Sequence, residues 1–403
     1  GLFQGLKDLR LRNWRPFPAD PVRIDAVVLS HAHIDHSGYL PRLVKEGFRG
    51  PVFCTPGTRD LLRILLLDAA HLQEEEAAYA NRKGFSRHRP ALPLFDVKDV
   101  EKTLTLVKTV RFGERFDPAG SVTGLFRRAG HILGAATVQL DLGAGSRSLV
   151  FSGDLGRWAQ PILWDPAPVE GADLLLLEST YGSRIHPGNP EEELARAVRE
   201  TADRGGVMLI PSFAVGRSQA LILMLYRLEG EGRIPKIPVF LDSPMAAKVS
   251  EITCAHHEEM DDEMREWMAK DRCPICNRWC AFTNTPDESK ALNDRKGPLI
   301  IIAGSGMATG GRILHHLKRR LPDPTTTVLF PGYQAAGTRG HSLVQGARQV
   351  KMNGGHVPVH ARVQVLDGLS AHADRGEILK WLSMFKRKPR LTCLVHGEPR
   401  SLE

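Results

Sequence analysis

The run His-x-His-x-Asp-His at residues 31–36 places three imidazoles and one carboxylate within a single short segment. Imidazole and carboxylate groups are ligands that zinc commonly binds in proteins. The spacing allows His31 and His33 to face one metal ion while Asp35 and His36 face a neighbouring one. The run therefore predicts the start of a metal centre, and hydrolysis is the chemistry that such a centre supports.

Three later residues are candidates to complete this centre: His131, Asp154 and His396. Each follows an apolar segment and stands beside a glycine, at the point where a predicted strand delivers its last residue. Taken singly, His131 or His396 would more often be an ordinary histidine. Together with the first run, they supply enough ligands for two metal sites.

The elements that must position these ligands can be read from the hydrophobic pattern. Residues 24–29 predict a buried strand that leads into the histidine-rich loop, and a helix is expected from Ser37 onward. A strand at 51–55 and a long amphipathic helix at 58–80 follow. Further strands are predicted at 104–107, 136–140, 148–151 and 174–177.

After Tyr181 the pattern changes to an alternation of helices and strands, which is typical of a parallel α/β unit. The predicted order is helix 191–203, strand 207–211, helix 218–228, strand 238–241, strand 299–303, a glycine-rich segment at 304–311 and helix 312–321. Short strands return after about residue 363 and end with 391–396. We therefore predict an α/β domain inserted into a strand-rich domain.

These motifs resemble the metallo-β-lactamase superfamily, specifically its β-CASP branch of nucleases, over almost the whole chain. The resemblance implies an αββα metallo-β-lactamase sandwich with an inserted Rossmann-like α/β β-CASP domain. The expected boundaries are 1–182 for the sandwich, 183–362 for the β-CASP domain and 363–403 for the return of the sandwich. Family members have strands and an aspartate motif before the histidine-rich loop and continue beyond His396, so we expect a fragment truncated at both ends.

The resemblance also implies a ligand set for two zinc ions. It assigns His31, His33 and His131 to one zinc, Asp35, His36 and His396 to the other, and Asp154 to both. His396 lies in the Val-His-Gly context that is typical of RNA-directed members, whereas DNA-directed members usually carry an aliphatic residue there. The resemblance therefore favours RNA as the substrate.

Three residues are implied to be catalytic: Asp35, Glu178 and His372. Glu178 lies in the segment Leu-Glu-Ser-Thr-Tyr-Gly and His372 in Ser-Ala-His-Ala-Asp, both hallmarks of the branch. A hydroxide activated by the two metals would attack phosphorus while Asp35 orients the water. His372, oriented by Glu178, would protonate the leaving 3′-oxygen and leave 5′-phosphate and 3′-hydroxyl ends.

Charge and composition agree with a polyanionic substrate but are weak signals. The net charge is +8, and the sequence pI is about 9.2. Only 6% of the residues are aromatic, so we expect single-stranded RNA to be held mainly through its backbone. The candidate contacts are Ser212, Arg217, Ser305 and Ser370.

The glycine-rich segment 304–311 suits a phosphate but lacks the Walker lysine. The sequence leaves the oligomeric state open, with a homodimer as a candidate.

The six cysteines are sparse for the length, and no signal peptide or long apolar stretch is present. These features predict a soluble protein of the reducing cytoplasm, with no membrane partner. Cys273, Cys276 and Cys280, near Cys254, form a candidate third, structural zinc site, although only one Cys-x-x-Cys pair occurs. The adjacent histidines at 315 and 316 point in different directions on a helix and are interpreted as structural.

Three alternatives remain open from the sequence. A small-molecule metallo-hydrolase, such as a thioesterase or lactonase, could use the same metals, but the large insert and the Glu178 and His372 motifs disfavour it. A DNA nuclease of the same branch is the second alternative. A non-catalytic RNA-binding scaffold is the third, and the intact ligand set argues against it. Endonuclease and exonuclease modes are not distinguished.

Overall fold

The computed structural model describes residues 1–4, 7–84, 86, 88–143, 147–186, 188–270, 273–276, 279–352 and 354–402. These residues divide into two compact units. The outer unit comprises Gly1–Gln160, Trp164–Arg184 and His372–Glu403, and the inserted unit comprises Pro161–Leu163 and Ile185–Ala371.

The strands in chain order are β1 (Val27–Val28), β2 (Val52–Cys54), β3 (Val107–Thr109), β4 (Arg115–Ala119), β5 (Val122–Arg128), β6 (Ala136–Asp141), β7 (Ser148–Phe151), β8 (Leu174–Glu178), β9 (Val207–Pro211), β10 (Val239–Asp242), β11 (Ala281–Phe282), β12 (Leu299–Ala303), β13 (Thr327–Phe330), β14 (Gln349–Met352), β15 (Gly355–Pro358), β16 (Arg362–Val365) and β17 (Leu391–Val395).

The helices are α1 (Lys7–Arg12), α2 (Ile34–Ser37), α3 (Leu40–Lys45), α4 (Pro56–Lys83), α5 (Val97–Thr105), α6 (Pro190–Asp203), α7 (Arg217–Gly230), α8 (Pro244–Ala255), α9 (Asp262–Ala269), α10 (Pro286–Leu292), α11 (Ile313–Arg320), α12 (Arg339–Val344), α13 (Arg375–Ser383) and α14 (Pro399–Leu402). Short 3-10 helices lie at Pro21–Arg23 and His257–Glu259. In the described part of the chain, no helix combines the length and the apolar character needed to cross a membrane.

The outer unit is a sandwich of two sheets. The smaller sheet has the order β1-β2-β3, and the larger one the order β17-β8-β7-β6-β5-β4. Phe53 of the smaller sheet stacks on Phe116 of the larger one, with ring centroids 5.0 Å apart, and Phe126 extends this core. On the other face of the larger sheet, Trp381 of α13 packs against Leu175. Helix α4 contacts β3, so helices flank both sheets and the predicted αββα arrangement is confirmed.

The inserted unit has a six-stranded parallel sheet with the order β11-β10-β12-β9-β13-β16. Successive residues of β12 point to opposite faces, so Ile300 joins one apolar core and Ile301 joins the other. Leu221 of α7 packs in the first core and Leu317 of α11 in the second. Helices thus cover both faces, as the α/β prediction requires. Strands β14 and β15 form a separate antiparallel pair.

Three sequence-based expectations differ from the structure. The helix expected from Ser37 onward begins at Ile34 and ends at Ser37, and a second helix, α3, begins at Leu40. Residues 104 and 105, predicted to begin a strand, end helix α5 instead. A capping box between Asp96 and Asp99 starts that helix, and the helical backbone then continues through residues 104 and 105. The inserted unit continues to Ala371 rather than 362, because β16 pairs with β13 as an edge strand of its sheet.

Candidate metal centre

The histidine-rich loop of the outer unit follows β1 and is held by backbone contacts. The N–H of Leu29 continues the strand pairing by donating to the carbonyl of Phe53 at 2.9 Å. Ser37 Oγ then donates to the carbonyls of Ala32 (2.9 Å) and His33 (3.0 Å), which fixes the turn into α2. The sequence His-x-His-x-Asp-His therefore leaves the sheet as a short loop and enters a helix.

The residue before Asp154, which follows β7, must be glycine. Gly153 has a φ of 59°, and a Cβ atom at this position would lie 2.8 Å from the carbonyl oxygen of Ala136. His396, which follows β17, also has a positive φ of 64°, a conformation that costs a non-glycine residue about 1 kcal/mol or more. The surrounding structure must therefore hold His396 in place.

A first ligand group consists of His31, His33, His131 and Asp154, whose ligand atoms all lie within 4.8 Å of one another. His33 Nδ1 is 3.2 Å from His31 Nε2 and 3.2 Å from His131 Nε2. Asp154 Oδ2 is 3.3 Å from His31 Nε2 and 3.6 Å from His131 Nε2. Tetrahedral zinc with bonds of about 2.0–2.1 Å has edges of about 3.3–3.4 Å, so these separations fit one zinc ion.

A second ligand group consists of Asp35, His36 and His396, and its ligand atoms also lie within 4.8 Å of one another. His396 Nε2 is 3.2 Å from both His36 Nε2 and Asp35 Oδ2. His36 Nε2 lies 3.3 Å from Oδ1 of Asp154, which belongs to the first group. Two imidazoles and two carboxylate oxygens therefore surround a second position.

Asp154 connects the two groups because each of its oxygens faces one of them. Its side chain is 2% exposed. Oδ1 is buried and accepts no hydrogen bond from the described part of the chain. A buried carboxylate oxygen without a donor is costly unless a cation balances it. The donor set and this orphaned oxygen thus fit a pair of metal ions that share Asp154.

Two hydroxyl groups orient ligand imidazoles through the ring nitrogen that faces away from the metal position. Ser30 Oγ lies 3.1 Å from Nδ1 of His31, and Thr180 Oγ1 lies 3.0 Å from Nδ1 of His396. Such contacts fix the ring orientation and direct the other nitrogen, Nε2, toward the metal. Sequence reasoning did not identify either hydroxyl. Ser30 directly precedes the ligand run, but Thr180 is distant from His396 in sequence and gives no local signal.

Burial keeps the imidazoles of the first group neutral, which metal binding requires. Desolvation lowers the pKa of His31 and His131, and lowers that of His33 to about 3. Burial alone would raise the pKa of Asp154, but the nearby His31 and His372 lower it well below its usual range. In the second group, the hydrogen bond to Asp35 raises the pKa of His396 to about 9.

Glu178 and His372 form a further pair beside the first ligand group. His372 Nδ1 is 3.3 Å from Glu178 Oε1 and 3.9 Å from Asp154 Oδ2. Glu178 is 1% exposed, and the N–H groups of Leu155 (2.7 Å) and Thr180 (3.2 Å) donate to its two oxygens. Burial opposes a charged His372, but the two carboxylates outweigh this effect and raise its pKa.

The candidate RNA contacts lie in the inserted unit. Ser212 follows β9 and is 2% exposed, and its Oγ accepts from Ser218 Oγ at 3.0 Å. Arg217 donates to the carbonyl of Pro331. Ser305 Oγ accepts from the N–H groups at 309 (3.0 Å) and 310 (3.2 Å), so it closes the glycine-rich loop. Ser370 is buried. Their role in binding RNA stays a prediction.

The cysteine and histidine candidates are placed as follows. Cys254, rather than the predicted Cys280, lies with Cys273 and Cys276, because the end of α8 brings it to the Cys-x-x-Cys turn. Cys280 is buried in the core instead. His316 is fully buried with Nε2 2.6 Å from Oδ2 of Asp242, which supports a structural role.

Family models match nearly the whole chain. A β-lactamase superfamily domain matches residues 2–209, a β-CASP domain matches 218–343, and a zinc-dependent metallo-hydrolase RNA specificity domain matches 356–403. The first match contains the ligands from His31 to Asp154, and the last contains His372 and His396.

Curated relatives agree with this assignment. Ribonuclease TTHA0252 of Thermus thermophilus is 39% identical over 100% of this chain and 87% of its own length. Transcription termination factor FttA of Methanosarcina mazei is 32% identical over 94% of this chain. The same factor of Methanocaldococcus jannaschii is 33% identical over 93%. The chain spans 59% and 58% of those two archaeal proteins.

A crystal structure of a protein of unknown function from Enterococcus faecalis shares the fold. The TM-score is 0.50 at 13% identity, and the match covers 94% of this chain and 77% of that one. The predicted β-CASP hydrolase of the metallo-β-lactamase superfamily is confirmed by the family matches, which add an RNA specificity domain at 356–403. The chain belongs to the β-lactamase superfamily, and within it to the β-CASP zinc-dependent metallo-hydrolases that carry an RNA specificity domain.

Proposed function

We propose that this chain is a ribonuclease that hydrolyses phosphodiester bonds of single-stranded RNA and leaves 5′-phosphate and 3′-hydroxyl ends. The observation that carries the proposal is Asp154, whose two oxygens face two separate ligand groups in the outer unit. The family match to an RNA specificity domain and the name of the Thermus relative, a ribonuclease, support RNA as the substrate.

Two zinc ions are the proposed cofactors, held by the first and second ligand groups. When bound, they would lower the pKa of a water molecule toward about 7 and offset the charge of the phosphate oxygens. Asp154 keeps the two positions adjacent. The neutral imidazoles of His31, His33 and His131 offer nitrogen lone pairs without first losing a proton.

In this proposal Asp35 accepts the proton of the attacking water, and His372 donates a proton to the leaving 3′-oxygen. The side chain of Asp35 is 40% exposed, so an attacking water molecule can reach its carboxylate and be oriented by it. As the new P–O bond forms, the bond from phosphorus to the 3′-oxygen breaks. His372 donates a proton to that oxygen, and the proton of the water passes to Asp35.

Glu178 is the positioning residue for His372. It faces Nδ1 of the imidazole, so we assign the transferred proton to Nε2. Backbone N–H groups hold both oxygens of Glu178, and this fixes the carboxylate before the substrate binds. A fixed carboxylate favours the charged form of His372, which is the form that can act as an acid.

The sugar-phosphate backbone is the proposed point of contact with the inserted unit. Ser212 and Ser305 follow β9 and β12, two neighbouring parallel strands, and Arg217 begins α7. Ligands bind at the carboxyl ends of strands in open α/β sheets. Together with Ser370, these residues would recognise phosphate and ribose rather than base edges, so we expect little sequence preference. A homodimer and a cytoplasmic location remain our predictions.

The test is a digest of end-labelled single-stranded RNA beside DNA of the same sequence. We expect cleavage of RNA, 5′-phosphate ends and loss of activity in His372→Ala. Cleavage of DNA alone would instead identify a DNA nuclease. Ends with a 2′,3′-cyclic phosphate would contradict the mechanism, because the attacking group would then be the ribose hydroxyl. Ester hydrolysis without RNA cleavage would contradict the nuclease itself.

A further inference from the structure

Three cysteine sulfurs converge in the inserted unit. Cys254 lies in the last turn of α8, whereas Cys273 and Cys276 end a turn in which the N–H of Cys276 donates to the carbonyl of Cys273 at 3.4 Å. Cys273 Sγ is 3.3 Å from Cys254 Sγ and 3.0 Å from Cys276 Sγ. The structure joins Cys254 and Cys276 in a disulfide, and the sulfur of Cys273 lies beside it.

We propose that the reduced form of this cluster, Cys254, Cys273 and Cys276, is a zinc site that is separate from the hydrolytic centre. The three Sγ atoms already lie within 4.8 Å of one another. Zinc–sulfur bonds of about 2.3 Å place the sulfurs of a tetrahedral site about 3.8 Å apart, so small side-chain rotations are sufficient. The spacing of Cys273 and Cys276 is the chelating Cys-x-x-Cys pattern.

The distance between the backbones also suits an ion. The Cα atoms of Cys254 and Cys276 are 7.0 Å apart, whereas disulfides usually span about 4.4–6.8 Å. A zinc ion between the sulfurs would allow this wider separation. The cysteine cluster therefore accommodates the ion without a movement of α8 toward the Cys-x-x-Cys turn.

The segment that contains Cys273 and Cys276 indicates a structural role for the proposed zinc site. The described residues between α9 and β11, at 270, 273–276 and 279–280, form neither helix nor strand. Ile275 is fully buried there, and Trp279 donates from Nε1 to Glu229 at 3.0 Å. A metal that links this segment to the end of α8 would hold it on the core in place of backbone pairing.

Cys280 is not part of the proposed ligand set. Its sulfur lies outside the group of three, its side chain is buried in the core, and burial raises its pKa to about 12. It therefore stays a thiol, whereas zinc binds the thiolate. We assign the fourth coordination position to a solvent molecule. Cys280 then serves as a matched control, because it belongs to the same segment but not to the site.

The disulfide is the oxidised form of the same site. Two molecules of a thiol reductant convert the Cys254–Cys276 bond into two thiols and leave as their own disulfide. Zn²⁺ then displaces the protons of three thiols, so that three protons are released for each ion bound. The reverse exchange, in which a small-molecule disulfide oxidises the same pair and leaves as two thiols, would release the ion.

The test is to load the full chain with zinc after reduction by a phosphine and to count metal by mass spectrometry. We expect Cys254→Ser, Cys273→Ser and Cys276→Ser each to hold one zinc ion fewer than the wild type. Cys280→Ser should hold as many as the wild type. Cys273→Ser leaves both cysteines of the disulfide in place, so the oxidised variant keeps the native cross-link. A lower zinc content of this variant after reduction would therefore reflect lost metal binding rather than misfolding.

Cobalt provides a second, independent readout. The ligand groups of the outer unit contain only histidine and aspartate, so a thiolate-to-cobalt charge-transfer band would come from the cysteine cluster. We expect this band in the reduced wild type and in Cys280→Ser, and its loss in Cys273→Ser. Equal zinc contents in all variants, or a reduced wild type without the band, would overturn the proposal.

Discussion

The Nδ1 atom of His372 lies 3.3 Å from Oε1 of Glu178, a carboxylate whose oxygens are both held by backbone N–H groups. This pair stands beside Asp154, which the two ligand groups share. In the proposed ribonuclease, the metal ligands bind and activate the reactants, while His372 supplies the proton that releases the product.

Glu178→Gln tests the positioning role. The amide keeps the shape of the side chain but removes the charge that favours protonated His372, so kcat should fall about 10- to 100-fold with little change in KM. The fall should grow as the pH is raised, because the pKa of His372 is no longer elevated by Glu178. Steady-state RNA cleavage across a pH series measures both effects. An unchanged pH profile would show that Glu178 acts only on stability.

Asp154→Asn tests the shared ligand. An amide oxygen is a poorer ligand for zinc and cannot balance two cations, so we expect a lower zinc content and a loss of activity above about 100-fold. Metal analysis and the RNA digest measure the two results. Asp141→Asn, at the end of β6, is the control and should behave as the wild type. Retention of both zinc and activity in Asp154→Asn would refute the bridging role.

Thr180→Val tests the orientation of His396. The substitution keeps the volume but removes the hydroxyl that lies 3.0 Å from Nδ1, so zinc affinity should fall about 10- to 100-fold. Competition with a chromogenic chelator gives the affinity. Ser183→Ala, in the same loop but without this contact, should leave it unchanged. Equal affinities in both variants would show that the hydroxyl of Thr180 does not orient the imidazole of His396.

His316→Ala tests the buried network of the inserted unit. His316 is fully buried against Asp242, and its loss leaves that carboxylate without one of its partners. We expect the free energy of unfolding to fall by about 3 kcal/mol. His315→Ala, on the exposed face of the same helix, should change it by less than about 0.5 kcal/mol. Urea denaturation measures both, and equal stabilities would exclude a structural role for His316.

We expect Asp242 to make the stability of the inserted unit fall at acid pH. Burial alone would raise the pKa of this carboxyl, but the hydrogen bonds that it accepts lower it below its usual range. The donors are His316, Ser289, Thr283 and Arg312. The unfolded state therefore binds a proton at a higher pH than the folded state, and the contribution is present above about pH 4 and lost below it.

A series of melting temperatures from neutral to acid pH measures this dependence. Asp242→Asn should melt at a lower temperature than the wild type at neutral pH, and the gap should narrow as the pH falls below about 4. Parallel curves for the two proteins would show that Asp242 has no depressed pKa in the folded state.

The sequence predicted the regular elements best where apolar periodicity is strong. Strands β9 and β12 begin and end where the pattern places them. Residues 104 and 105 were misassigned because the capping box at Asp96 outweighs a short β-like pattern. The end of the inserted unit was placed too early because the pairing of β16 with β13 is a long-range contact with no local signal.

The candidate site was largely accessible from the sequence because metal ligands come in short runs or directly after strands. The contacts that orient them were not. Thr180 meets His396 only because β8 and β17 are neighbours in the sheet. Cys254 meets Cys273 for a similar reason, since the end of α8 approaches the Cys-x-x-Cys turn, whereas Cys280, closer in sequence, points into the core.

The most direct test of the two-metal ribonuclease is zinc titration of the metal-free chain with end-labelled RNA as the substrate. Cleavage should be absent after chelation, return only when both ligand groups are filled, and fail to return in Asp154→Asn. Full cleavage by the metal-free chain, or by Asp154→Asn at the wild-type rate, would contradict the account.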